Sequence, residues 1–331
     1  MNSNTPFMTM QFNLRAFGLL SAVALAACGS DGASNNGTDP DAGVTMDASA
    51  TADSGTSIDA GAAIDAGGMD AGAAPTPVVQ LVTVDALATL VADSAVQVVD
   101  VRSRSAFDAG HIAGAVHLAT NGLRTTVGGV SGQVVGRSVA EGIFEAAGID
   151  STMPLVVVGA ANDTNTSRAA WTLALFGAQA GVLLLDGGMA AWTSDAQPVD
   201  TQDDATPSTW DGATTVEAYR VDKAWVLAHL DDADVQLFDV RTSGEYAGGH
   251  IPGAQNVDWT GNLNRSGLFL DADAIRTRHG DPTAPTLVVY CQSGARASVT
   301  WTLLQALGYE DVRLYDGSWA EWGSDPTTPK E

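Results

Sequence analysis

The last third of the chain alternates short apolar runs with segments of helical character. Val235–Val240, Leu287–Tyr290 and Val312–Tyr315 are largely apolar and of strand length. Around them, helices are predicted over Lys223–Leu230, Gly244–Ala247, Ala272–Arg278 and Ala295–Leu307. Asp222 and Ser243 stand just before the first two of these, where a short polar side chain accepts a helix's free N–H groups. Strands that are apolar without alternation are covered on both faces. Strands of that kind separated by helices build a parallel sheet with helices on either side. The pattern therefore predicts an α/β fold.

The pattern occurs twice. Asp100-Val101-Arg102 and Gly110–Ala115 reappear as Asp239-Val240-Arg241 and Gly249–Ala254, with the same arginine-to-glycine spacing. Pro154–Gly159 (PLVVVG) matches Thr286–Cys291 (TLVVYC), and Ser167–Ala178 matches Arg296–Gly308. Leu185-Asp186-Gly187 with Trp192 matches Tyr315-Asp316-Gly317 with Trp322. The body is thus a duplication, read as one α/β domain over 78–197 and another over 214–327. A linker rich in Pro, Asp and Thr joins them over 198–213.

The N-terminal part has a different character. Ala16–Ala27 is an apolar run of signal-peptide length, and it ends in Leu25-Ala26-Ala27-Cys28. That tetrapeptide resembles a bacterial lipobox, in which the cysteine is lipidated and becomes the first mature residue. A signal peptide over 1–27 and a lipidated Cys28 are expected. Residues 29–77 repeat Asp-Ala-Gly units and hold no aromatic and no basic side chain. Such a segment buries too little apolar surface to offset chain entropy, so a disordered tether over 28–77 is expected. The body would then sit at the cell envelope, lipid-anchored on the periplasmic or outer-membrane side and not in the cytoplasm. With 39 acidic and 15 basic residues the formal net charge is −24, which argues against a nucleic-acid partner. Small anionic substrates remain open, because local donors decide their binding.

The duplication also sorts the chemistry, since residues in both copies are more readily explained by the fold. His111 and His250 are expected to tie down loops by bonding backbone groups. Trp171, Trp192, Trp301 and Trp322 recur in register and are expected in the core. Asp239 and Arg241 are mirrored by Asp100 and Arg102, which suggests a structural pair; Arg241 is kept as a candidate at the pocket rim. Cys291 is different, because the first copy has Gly159 in its place. The thiol follows a strand directly and precedes a helix, where ligands of parallel sheets bind and where loop N–H groups attract anions. Cys291 is therefore the candidate nucleophile. Gln292, Ser293, Gly294 and Ala295 are candidates to wrap the substrate, and Arg296 and Arg241 to hold its charge. Cys28 is the only other cysteine, so no disulfide is expected; no metal-ligand set and no cofactor is expected either.

These residues resemble the rhodanese (sulfurtransferase) family in its tandem two-domain form. The carriers are Asp239-Val240-Arg241, Gly249–Ala254, Cys291–Arg296, Asp316-Gly317 and Trp322, most of them present twice. The resemblance implies a cysteine that takes a sulfane sulfur from a small anionic donor, thiosulfate or 3-mercaptopyruvate, as a persulfide. It implies transfer to a thiophilic acceptor, cyanide or a thiol, by an active second domain beside an inactive first. Two features depart from familiar two-domain members. Only Thr242–Gly248 separates Arg241 from Gly249, without an arginine-containing insertion, and the loop CQSGAR is similar to that of single-domain members. Two other readings stay open. One is a Cys-dependent phosphatase, whose arginine follows the cysteine one residue later than Arg296 follows Cys291. The other is a non-catalytic binding module of the same fold.

Overall fold

The structure is a computed structural model that describes residues 78–202, 205–280 and 286–331. The expected signal peptide, Cys28 and the tether lie outside the described residues. In the first copy the elements run β1 (Val79–Val82), α1 (Val84–Ala92), β2 (Gln97–Asp100), α2 (Arg104–Ala109), β3 (Val116–His117), β4 (Arg124–Val127), β5 (Val130–Val134), α3 (Arg137–Ala146), β6 (Leu155–Val158), α4 (Thr164–Leu175), β7 (Val182–Leu185) and α5 (Gly188–Ser194). In the second they run β8 (Arg220–Val221), α6 (Lys223–Ala228), β9 (Val235–Asp239), α7 (Ser243–Ala247), β10 (Gln255–Asn256), α8 (Ala272–His279), β11 (Thr286–Tyr290), α9 (Ala295–Ala306), β12 (Val312–Tyr315) and α10 (Ser318–Trp322).

Each copy forms a parallel sheet with helices around it, as the alternating pattern predicts. The orders β1-β7-β6-β2-β3 and β8-β12-β11-β9-β10 are the same topology. The central strands β6 and β7 are buried along their whole length, which is why they read as unbroken apolar runs. Helices α4 and α9 pack against each other between the two sheets. Both are nearly free of charged side chains and buried on all sides from Thr166 to Leu175 and from Ala297 to Gln305. One hydrophobic core runs through both copies, with Leu155, Trp171 and Leu184 from the first and Val289, Trp301 and Leu314 from the second. The four recurrent tryptophans are at most 2% exposed. Each indole N–H donates to a backbone carbonyl: Tyr219, Pro198, Val312 and Pro329 for Trp171, Trp192, Trp301 and Trp322.

The histidines bind backbone as expected. His111 Nδ1 lies 2.9 Å from the Phe107 carbonyl and His250 Nδ1 lies 3.1 Å from that of Tyr246, each ring stacked on the aromatic ring whose carbonyl it meets.

Three details differ from the sequence expectation. Helix α7 begins one residue early: Thr242, not Ser243, is its cap, in a capping box with Glu245. Helix α6 stops at Ala228 instead of Leu230. The His229 ring takes the Trp225 carbonyl at 2.7 Å, the acceptor its own backbone N–H would use if the helix continued, and that N–H goes to Val226 instead. The third difference is the hairpin β4–β5, which the sequence did not reveal. Its strands are mostly polar, with Thr125, Thr126, Val127 and Ser131 exposed, so no apolar alternation marks them. Gly128 (φ +57°) and Gly129 (φ +84°) form its two-residue turn, where both positions need a left-handed backbone.

Candidate functional site

Strand β11 delivers Cys291 to the carboxyl edge of the second sheet, and α9 begins at Ala295. The thiol-bearing residue is 1% exposed. The first turn of α10 fixes the loop backbone. Trp319 N donates to Cys291 O at 3.0 Å, Ala320 N donates to Gln292 O at 2.9 Å, and Cys291 N donates to Ser318 Oγ at 3.3 Å. With the loop carbonyls turned to α10, the N–H groups of Gln292, Ser293, Gly294 and Ala295 have no protein acceptor among the described residues. Gly294 supplies the left-handed step (φ +80°) that curls the loop into the helix. A cluster of free N–H groups at a helix N-terminus beside a thiol is suited to hold an anion or a polarised sulfur.

Arg296, at the start of α9, interacts electrostatically with the thiol. Its guanidinium is also clamped by Glu245, with Nη1 donating to Oε2 and Nη2 to Oε1, both at 2.8 Å. Glu245 is the capping residue of α7, so that helix sets the arginine's position. The charge-assisted bonds from Arg296 hold the Glu245 carboxyl at about 2, and Glu245 in turn pushes Arg296 above its ordinary value.

Arg241 does not join this group. It is 2% exposed, with Nε and Nη2 donating to the Asp239 carboxylate and Nη2 also to the Gly249 carbonyl at 2.7 Å. The same triangle of Asp100, Arg102 and Gly110 recurs in the copy without a thiol. Its geometry is that of a buttress between the strand end and the Gly-His-Ile loop.

The first copy reaches into the second copy's site. Arg168 of α4 donates to Asp316 Oδ1 at 2.6 Å, and Val134 N of the hairpin donates to Asp316 Oδ2 at 2.7 Å. Arg168 also donates to the Gly132 carbonyl at 3.2 Å. Gly132 lies against the loop so closely that an added Cβ would sit 3.1 Å from the Cβ of Ser293. Arg124, at the base of the hairpin, donates to Asn165 Oδ1 at 2.6 Å and interacts electrostatically with Arg168, Asp163, Asp316 and Cys291.

The matching place in the first copy is built differently. A Cβ on Gly159 would fall 1.8 Å from Thr166 Oγ1, so that hydroxyl fills the space where a nucleophile's side chain would start. Thr166 Oγ1 is buried and has no hydrogen-bond partner among the described residues. Beside it lies a cavity of about 40 Å³, lined by Asp163, Thr166 and Asp186 of the first copy and Trp259 and Phe269 of the second. Burial pushes the Asp186 carboxyl up to about 6 although Phe269 N and Gly187 N donate to it.

Sequence reasoning found Cys291 and its loop but missed Glu245, Arg168, Arg124 and Ser318. For Glu245 a signal existed. Alignment of the copies on Arg102 and Arg241 sets Ala106 opposite Glu245, and alignment on Trp171 and Trp301 sets Thr166 opposite Arg296. The thiol, the arginine and its carboxylate are thus present together in one copy and absent together in the other.

Comparison with known proteins agrees with this architecture. The sequence matches the rhodanese-like domain over residues 83–195 and again over 222–325. A putative thiosulfate sulfurtransferase 1 of Mycobacterium bovis is 31% identical over 252 residues, covering 69% of this chain and 88% of that protein. The putative thiosulfate sulfurtransferase of Saccharopolyspora erythraea is 32% identical over 253 residues (69% and 86%), and the thiosulfate sulfurtransferase of Pseudomonas aeruginosa is 29% identical over 244 (70% and 90%). Among solved structures, the anaerobic ergothioneine biosynthesis enzyme of Chlorobium limicola in complex with trimethyl histidine has the same fold, with a TM-score of 0.65 at 23% identity over 76% of this chain and 70% of that one. Two matched domains, two sheets of one topology and one shared core show that the chain belongs to the rhodanese-like family, as a tandem of two such domains.

Proposed function

We propose that this protein is a sulfurtransferase that carries a sulfane sulfur on Cys291. The observation that supports it most is the Cys291 loop: one thiol, four N–H groups without acceptors among the described residues, and an arginine, clamped by Glu245, that interacts with the thiol. The names of the curated relatives favour the same reading. With thiosulfate as donor, the Cys291 thiolate attacks the outer sulfur. The new S–S bond forms as the bond to the sulfonate sulfur breaks, and sulfite leaves with the electron pair. The terminal sulfur of the persulfide is then held by the N–H groups of Gln292–Ala295. A thiophile such as cyanide attacks that sulfur, thiocyanate departs and the Cys291 thiolate returns. With 3-mercaptopyruvate the leaving group is the pyruvate enolate, which takes up a proton. Arg296, held by Glu245, faces the charge on sulfur in both half-reactions.

Mass spectrometry of the intact protein after incubation with thiosulfate, and separately with 3-mercaptopyruvate, tests this. One added sulfur atom on Cys291, removed by cyanide, is expected, with no addition to Cys291→Ser. A protein that gains no sulfur from either donor, or that hydrolyses a phosphate ester through the same cysteine, would refute the reading. The anchor belongs to the same proposal: a lipidated Cys28 holds the body at the cell envelope. Cys28→Ala should move the protein to the soluble fraction or block its processing, and unchanged membrane fractionation would refute the anchor.

A further inference from the structure

We infer that Arg124, on the first domain's hairpin, is the cation that binds the anionic end of the substrate at Cys291, so that the site is completed across the two domains. This deepens the sulfurtransferase reading and rests on it for the identity of the donor. Three arginines stand around the thiol, and two of them are already neutralised. Arg296 is held by both oxygens of Glu245, and Arg168 is paired with Asp316. Arg124 has a neutral partner, Asn165 Oδ1 at 2.6 Å, and no carboxylate within ion-pairing distance among the described residues.

The hairpin is built to hold it there. The strand partner of Arg124 is Val134, whose N–H is fixed to Asp316 Oδ2 at 2.7 Å, directly after the strand next to the Cys291 strand. Gly132 (φ +94°) lets the second hairpin strand touch Ser293 of the loop. Arg124 is half-buried and shares this space with a second guanidinium, so burial first and then Arg168 push it below its ordinary value. A partly desolvated cation with Asp163 and Asp316 in its field but no carboxylate paired to it among the described residues, close to a thiol and free loop N–H groups, gains from an incoming anion. Thiosulfate and 3-mercaptopyruvate share the chemistry required: a transferable or attackable sulfur at one end and a sulfonate- or carboxylate-type group at the other.

Two measurements on the full chain test the inference, with Arg124→Gln and Arg124→Lys. The first is steady-state transfer from thiosulfate to cyanide. Arg124→Gln is expected to raise KM about ten- to a hundredfold with a smaller effect on kcat, and Arg124→Lys to restore part of it. The second needs no sulfur transfer: the rate at which Cys291 is labelled by methanethiosulfonates with a sulfonate, a hydroxyl or a trimethylammonium tail, read by peptide mass spectrometry. The wild type is expected to favour the sulfonate reagent, and Arg124→Gln to cut that preference about tenfold. A wild type without anionic preference, or a folded Arg124→Gln with unchanged KM and unchanged preference, would overturn the inference. A wild type that accepts no sulfur yet keeps an Arg124-dependent preference would refute the sulfurtransferase reading and leave the anion site standing.

Discussion

Arg168 Nη2 and Asp316 Oδ1 meet at 2.6 Å, and the two side chains, from different domains, are only 2% and 5% exposed. Arg168 Nε and Nη1 have no partner among the described residues, so this guanidinium depends on Asp316 for its charge compensation. Removing one member of a buried pair leaves an uncompensated charge, which costs about 3–5 kcal/mol. Asp316→Asn should lower the denaturant midpoint accordingly. Arg168→Met combined with Asp316→Asn should recover part of the loss, because the cost lies in the orphaned charge. Additive losses in this double-mutant cycle would show that the two residues do not act on each other.

Glu245 gives the protein a distinct acid response. Its carboxyl is held at about 2, against an ordinary 4.5, chiefly by Arg296. A depressed folded value contributes stability that is fully present above the ordinary value and is lost as pH falls from about 4.5 towards about 2. The side chain is 35% exposed, so solvent screens part of the effect. Thermal melts across that window should fall less steeply for Glu245→Gln than for the wild type. Its sulfur-transfer rate should also drop at neutral pH, because Arg296 loses its clamp.

Asp186 acts in the opposite direction. Burial raises its carboxyl from 3.8 to about 6, so the folded state holds the proton more tightly than the unfolded chain. The stability this contributes is complete below about 3.8 and is lost as pH rises through about 6. The loss is on the order of 2 kcal/mol. Asp186→Asn, which keeps an acceptor for Phe269 N, should abolish this slope between pH 4 and 6 in denaturant titrations. An unchanged slope would place its origin elsewhere.

Gly294 is predicted to be intolerant of a side chain. Its φ of +80° disfavours any Cβ, and an added Cβ would fall 2.7 Å from Arg168 Nη1 and 2.8 Å from Asp316 Oδ1. Gly294→Ala should cost about 1–3 kcal/mol of stability by backbone strain and lower sulfur loading of Cys291. The two readouts are a denaturation curve and intact mass after thiosulfate treatment.

The parallel sheets could be read from the sequence because the burial of their strands shows as unbroken apolar runs, as in Leu155–Val158 and Leu287–Tyr290; the all-round burial of α4 and α9 could not, since Thr, Ser and Arg interrupt them. Cys291 stood out because the duplicate copy lacks it. The hairpin could not be read, since Thr125, Thr126 and Ser131 face solvent and carry no apolar period. For Arg124 and Arg168 the reason is more general: their roles depend on how one domain docks on another, and no local spacing encodes a contact such as Arg168 with Asp316 across 148 residues. Arg241 shows the reverse case, where the structural pair with Asp239 that the duplication suggested is the geometry found.

The hydroxyl of Thr166 gives the duplication a direction. A thiol placed at Gly159 would meet an occupied space, so a nucleophile in the first copy requires Thr166 to change as well. The first domain meanwhile supports the second domain's loop through Gly132 and Arg168. No single substitution therefore makes the two copies equivalent, and neither half can be removed without disturbing the Cys291 loop.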